Sequence, residues 1–95
     1  MITQDGDRLL VQGPVTISTV SALLAQVRAL LAQGAAVLDF KGVTEVDSAA
    51  VALALECLRE ARRRKLALSL ANLPETMQHL AELYAVSELL QTDPA

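Results

Sequence analysis

Apolar residues recur along the chain with two different periods. Val20, Leu23, Leu24, Val27, Leu30 and Leu31 follow one another at spacings of three and four, which puts all six on one face of a helix. Gly34 suits the end of that helix, because glycine takes positive φ at no steric cost. A second stripe runs through Val51, Ala54, Leu55, Leu58 and Ala61 as far as about Lys65, with Glu56, Arg59, Glu60 and Arg63 on the wet side. Arg62, Arg63, Arg64 and Lys65 crowd its last turn, where cations complement the macrodipole. A third helix is entered through Asn72, Leu73, Pro74 and Glu75, since proline fits the first turn and an acid there faces the positive end of the dipole. Its pattern turns Met77, Leu80, Ala81 and Tyr84 inward and leaves His79 on the surface. Val86, Leu89 and Leu90 read as a last helical turn, and Gln91 to Ala95 as a frayed tail.

Strand signals occupy the intervals. Ile2-Thr3 and Arg8 to Gln12 flank the turn residues Asp5, Gly6 and Asp7, which predicts a hairpin ended by Gly13-Pro14. Ala36, Val37, Leu38 and Phe40 form a short apolar run of buried-strand character that breaks at Lys41-Gly42. Leu66 to Asn72 alternates, with Leu66, Leu68 and Leu70 on one side and Ala67, Ser69 and Ala71 on the other. The order is strand, strand, helix, strand, helix, strand, helix. Two successive strand-helix-strand crossovers imply parallel pairing. The expected fold is therefore a single α/β domain over residues 1–95, with a small, mostly parallel sheet, an N-terminal antiparallel hairpin and helices packed on one face.

Composition narrows the partners. The chain is 95 residues long and 53% hydrophobic, with one Phe and one Tyr as its only aromatic residues, so the core has to be built from Leu, Val and Ala. Its net charge of −3 has the wrong sign for a protein that neutralises nucleic-acid phosphates. Cys57 stands alone inside a helical pattern, as a small buried hydrophobe does. The N-terminus lacks the basic-then-apolar pattern of a signal peptide, and the longest apolar run, Ala49 to Leu55, is far short of the roughly 20 residues of a membrane span. These features predict a cytoplasmic chain with no direct membrane insertion.

Candidate chemistry gathers at one edge of such a sheet, where the connections leave the C-terminal ends of the parallel strands: Val15 to Thr19, Val43 to Ala50 and Asn72 to Glu75. Asp47 and Ser48 sit in its midst, at the start of the second helix. Either side chain can cap the free N–H groups there, an interaction of about 1 kcal/mol. The same position tolerates a phosphate, so Ser48 is a candidate phospho-acceptor. Thr44 and Glu45 precede this corner, and Ala49 and Ala50 have side chains small enough to admit a partner's surface. The six residues Thr44, Glu45, Asp47, Ser48, Ala49 and Ala50 form the expected partner interface. Catalysis is not expected: the chain has no glycine loop ending in Lys-Ser/Thr and no spaced metal ligands, and His79 is the only histidine that could serve Ser48 as a base. No cofactor is called for.

This pattern resembles the STAS domain, the module of sulphate transporters and anti-sigma factor antagonists, over nearly the whole chain. The central segment carries the likeness. Leu38 to Val43 looks like the family's strand, and Val46-Asp47-Ser48-Ala49-Ala50-Val51 like its Asp-Ser/Thr helix start. In the antagonists, the residue after that Asp is the serine phosphorylated by a partner kinase, which the resemblance places at Ser48; the family usually has glycine where Ala50 stands. The closing segment, Asn72-Leu73-Pro74-Glu75 and His79 to Val86, is similar to that of the STAS subunit of bacterial Mla phospholipid-transport systems. That resemblance implies a cytoplasmic, non-catalytic accessory subunit that contacts the ATPase of an ABC transporter through Ser48 and its neighbours. The alternative it implies is an anti-anti-sigma factor that captures a kinase-type anti-sigma protein and is released by phosphorylation of Ser48.

Overall fold

The computed structural model describes residues 1–84 and Val86. Four strands, β1 (Ile2–Asp5), β2 (Arg8–Val15), β3 (Val37–Val46) and β4 (Ser69–Ala71), lie side by side in chain order. β1 runs antiparallel to β2, with Ile2 opposite Val11, whereas β2, β3 and β4 are parallel. Helix α1 (Val20–Leu31) connects β2 to β3, α2 (Ser48–Arg63) connects β3 to β4, and α3 (Glu75–Leu83) follows β4. Both crossovers step across the sheet in the same direction, so a common right-handed sense brings α1 and α2 to the same face.

The core fills that face. Leu9, Val11 and Val15 of β2 and Leu38 and Phe40 of β3 meet Leu23, Val27 and Leu31 from α1, Leu53, Ala54 and Cys57 from α2, and Met77 and Ala81 from α3. Burial pushes the Cys57 thiol up to about 12, which keeps it protonated and inert at neutral pH. The stripe of α2 is rotated slightly from its expected position: Leu53 and Cys57 point inward, and Leu55 and Leu58 lie at the margin. α1 and α2 are also joined outside the core. Arg28 approaches Glu60 at 3.5 Å and the Arg64 guanidinium donates to the Arg28 carbonyl at 2.9 Å, while Arg63 pairs with Glu60. These contacts take up part of the basic charge at the end of α2.

Several strand limits differ from the sequence pattern. Lys41-Gly42 does not end β3, which runs on to Val46 because β2 continues alongside it to Val15. Between the pairs Leu10–Asp39 and Gln12–Gly42, and again between Gly13–Val43 and Pro14–Glu45, β3 contains one residue more than β2. These bulges increase the local twist and turn the outer half of β3 toward water. A side chain at Gly42 would meet Gln12 Cγ at 3.0 Å and the Val11 carbonyl at 3.1 Å, so the bulge requires the missing Cβ. β4 is only three residues long, since the positive φ of Asn72 (55°) turns the chain off the sheet. Leu66 is exposed rather than packed, and Tyr84, expected inward, is 51% exposed past the end of α3. Val86 packs against the core and its N–H donates to the Ala81 carbonyl at 2.9 Å. Leu89, Leu90 and the tail 91–95 lie outside the described residues.

The face of the sheet away from the helices carries a feature that the strand pattern conceals. Asp39, the third residue of β3, is only 5% exposed. Arg8 Nη1 donates to its Oδ2 at 2.8 Å, and the Lys41 N–H and Asn72 Nδ2 each donate to its Oδ1 at 2.9 Å. Burial pushes this carboxyl upward, but the Asn72 amide, the Lys41 N–H and the Arg8 guanidinium together outweigh it and hold the group below its ordinary value. The charge is thus satisfied by three strands' worth of donors, which ties β2, β3 and the end of β4 together.

Candidate functional site

At the C-terminal edge of the parallel strands, Asp47 joins two segments. Its backbone is extended (φ −131°, ψ −168°), the conformation of a residue just outside a helix, and its Oδ1 accepts the Ala49 N–H at 2.8 Å. Asp47 therefore caps α2. Its second oxygen, Oδ2, accepts the N–H of Ile17 in the β2–α1 loop at 3.0 Å, and its own N–H lies 3.4 Å from the Val15 carbonyl. One carboxylate thus fixes the start of α2 against the neighbouring loop. The two jobs fall to different oxygens of the one side chain, each accepting one N–H.

The loop is itself braced. Thr19 is the N-cap of α1, but its hydroxyl makes no cap bond to the helix. It accepts the Thr16 N–H at 3.0 Å and reaches the Pro14 carbonyl at 3.0 Å, closing the loop back onto the end of β2. Ile17, held between these bonds and Asp47, turns its side chain into water and is 75% exposed.

The structure separates the expected interface residues. Ser48 is exposed at the first position of α2, with its hydroxyl free of the cap that Asp47 provides. Thr44 and Glu45 are exposed on the outer half of β3, and Ala49 is half-buried. Ala50 is not a surface residue. It is fully buried in the core, so its methyl cannot face a partner, and the departure from glycine at this position bears on packing instead. Beyond the β3 edge, Val43, Thr44, Glu45 and Val46 form one wall of a shallow groove of about 290 Å³ whose other side is Pro74 and Thr76. β4 has left the sheet by this point, since its last pairing is Asp39 with Ala71. His79, the only histidine, stands exposed on α3 with Glu75 3.8 Å away. Among the described residues no three His, Cys, Asp or Glu side chains gather as a metal-binding group, and no helix is long and apolar enough to cross a membrane.

Sequence reasoning passed over two of these residues. Ile17 left a signal, an isoleucine inside the polar run Thr16, Ser18, Thr19 and outside the stripe of α1. Asp39 left another, an acid in the middle of an apolar strand. The double use of Asp47 left none, since the second partner is 30 residues away.

A small mixed sheet with helices on one face and an exposed hydroxyl at a capped helix start defines an α/β interaction domain of STAS type. The family model described as "MlaB, STAS domain" matches residues 2–91, and the chain belongs to that family. STAS domains of this kind are protein–protein interaction modules, and no catalytic family is indicated. Among solved structures, the anti-sigma factor antagonist SpoIIAA in its unphosphorylated form superposes with a TM-score of 0.71 at 17% identity, over 98% of this chain and 86% of that one. The phosphorylated form of the Bacillus cell fate determinant SpoIIAA gives 0.67 at 18% identity, covering 98% and 89%. The crystal structure of Mglu gives 0.57 at 23% identity, but over 79% of this chain and 19% of that one. At these identities the likeness is one of fold. No curated protein matches the chain significantly.

Proposed function

We propose that this chain is a non-catalytic accessory subunit that binds and regulates the ATPase of a phospholipid-transporting ABC system maintaining outer-membrane lipid asymmetry. It works on the cytoplasmic side, peripheral to the inner membrane through its partner, and handles no lipid itself. The observation that carries this reading is the match of residues 2–91 to the MlaB-type STAS family. The contact surface is the edge formed by Thr44, Glu45, Asp47, Ser48 and Ala49, where the side chains of Thr44, Glu45 and Ser48 are already in water. A pull-down of the tagged full chain from native cells, with mass spectrometry of the retained proteins, tests it. Recovery of an ABC ATPase together with its permease is the expected result, and their absence refutes the reading.

A second reading, an anti-sigma factor antagonist switched by phosphorylation, is favoured by one observation: Ser48 is exposed and spared from capping, so a kinase could reach its hydroxyl. A phosphate there would bring a dianion beside Asp47 and weaken a packed interface through repulsion and desolvation. Phosphoproteomics of cells across growth phases checks this. A Ser48 that is never modified removes the switch.

A further inference from the structure

Large apolar side chains that stand well out into water among the described residues are Met1, Ile17, Leu66, Leu83 and Tyr84. Met1 begins the chain, Leu66 follows the end of α2, and Leu83 and Tyr84 close α3. Ile17 differs from these. Its N–H is bonded to Asp47 at 3.0 Å, and the turn that carries it is closed by the Thr19 hydroxyl. A single exposed isoleucine is ordinary on a protein surface; one held by two independent braces at the candidate interface is preorganised. A β-branched side chain on a fixed backbone has few rotamers to lose when it is covered, so its burial by a partner is opposed by little entropy.

The surroundings define what could cover it. Segments 15–19, 43–48 and 74–76 contain three acids, Glu45, Asp47 and Glu75, and no Lys or Arg. Such an edge repels nucleic-acid phosphates and anionic lipid headgroups. Its complement is a protein surface with an apolar pocket ringed by basic or N–H-bearing groups.

We propose that Ile17 is the apolar anchor of the interface, that it enters a pocket on the partner protein ringed by basic side chains, and that Asp47 is the positioning residue that presents it. This inference rests on the reading of the chain as an ATPase-binding subunit, and adds the anchor and the chemistry of the surface that receives it. The anchor lies outside α2, one hydrogen bond from the residue before Ser48.

The test uses the full chain and the ABC ATPase it retains from native cells, purified and titrated calorimetrically against wild type, Ile17→Asp, Ile17→Leu and Asp47→Asn, with a thermal melt of each variant. Ile17→Asp is expected to weaken binding about thirtyfold, equivalent to about 2 kcal/mol, while its melt stays at the wild-type value because the side chain is already in water. Ile17→Leu should stay within about fivefold, since an apolar group of the same size can still fill the pocket. Asp47→Asn should weaken binding as well, and wild-type affinity should fall with added salt. If Ile17→Asp lowers the melt, a photo-crosslinking benzoylphenylalanine at position 17 replaces it, and must join the chain to an ATPase peptide. An ATPase that binds wild type and Ile17→Asp equally, or a crosslinker at 17 that never reaches it, overturns the anchor and leaves the functional reading standing. A wild-type chain that retains no ABC ATPase overturns the functional reading. The same variants titrated against a retained anti-sigma protein then decide the anchor, and a chain that retains neither protein overturns both.

Discussion

Replacing Asp47 removes two hydrogen bonds at once, and their separate worth can be worked from the structure. Oδ1 caps α2 through the Ala49 N–H at 2.8 Å, an interaction whose loss typically costs about 1 kcal/mol. Oδ2 holds the Ile17 N–H at 3.0 Å in a water-exposed setting, where a hydrogen bond contributes about 1 kcal/mol net. Asp47→Ala loses both, about 2 kcal/mol in all. For a domain of this size that lowers Tm by roughly 10 °C. Asp47→Asn is the informative comparison. Asparagine caps a helix as well as aspartate does, but it has one acceptor oxygen, and its amide group would face the Ile17 N–H donor to donor. It should therefore lose only the loop bond, about 1 kcal/mol. Urea and thermal unfolding measure the totals, and amide hydrogen exchange assigns them. In Asp47→Ala both Ile17 and Ala49 should exchange faster; in Asp47→Asn only Ile17 should. An alanine variant within about 0.3 kcal/mol of wild type, or an asparagine variant indistinguishable from it, would refute the two-oxygen account.

Three further outcomes are expected. Ser48→Ala should change stability by less than about 0.5 kcal/mol, because Asp47 supplies the cap and the hydroxyl faces water; a larger loss in urea titration would return a structural role to Ser48. Ala50→Trp should prevent folding rather than merely block a partner, since the site is 0% exposed among closely packed neighbours; a wild-type circular-dichroism melt would contradict the packing. Asp39 sets a pH dependence: its folded carboxyl titrates below the ordinary 3.8, so the unfolded chain takes up the proton first and acid favours unfolding. Its stabilising contribution is thus complete above about pH 5 and drains away as pH falls through 3.8 toward the folded value, and Asp39→Asn should flatten the stability–pH slope below about pH 4. An unchanged slope in that variant would assign the acid sensitivity elsewhere.

Periodicity alone located the helices and the order of elements, because a helix that buries one stripe must repeat its apolar residues every three or four positions whatever it packs against. Two consecutive crossovers then implied the parallel sheet, the side its helices occupy and the edge at which its loops meet. The Asp-Ser pair was legible for the same local reason, since a helix start requires an acceptor within its first turn. Which of the two provides it was decided only in three dimensions, where the extended backbone of Asp47 aims its carboxylate at Ala49 and the opposite oxygen finds Ile17. Strand limits were illegible as well: whether Lys41 to Val46 stays in the sheet depends on β2 lying beside it, and no local preference of Lys-Gly encodes a neighbour's hydrogen bonds. Ala50 shows the same limit from the other side. Its small side chain is compatible with an open contact or with a tight core, and only the rotation of α2 on the sheet turned it inward. What depends on residues a few positions apart was readable in the chain itself; what depends on segments some 30 residues apart, such as the bonds from Asp47 to Ile17 and from Arg8 to Asp39, came only with the tertiary structure, because sequence spacing carries no information about which distant donor will be brought to a given acceptor.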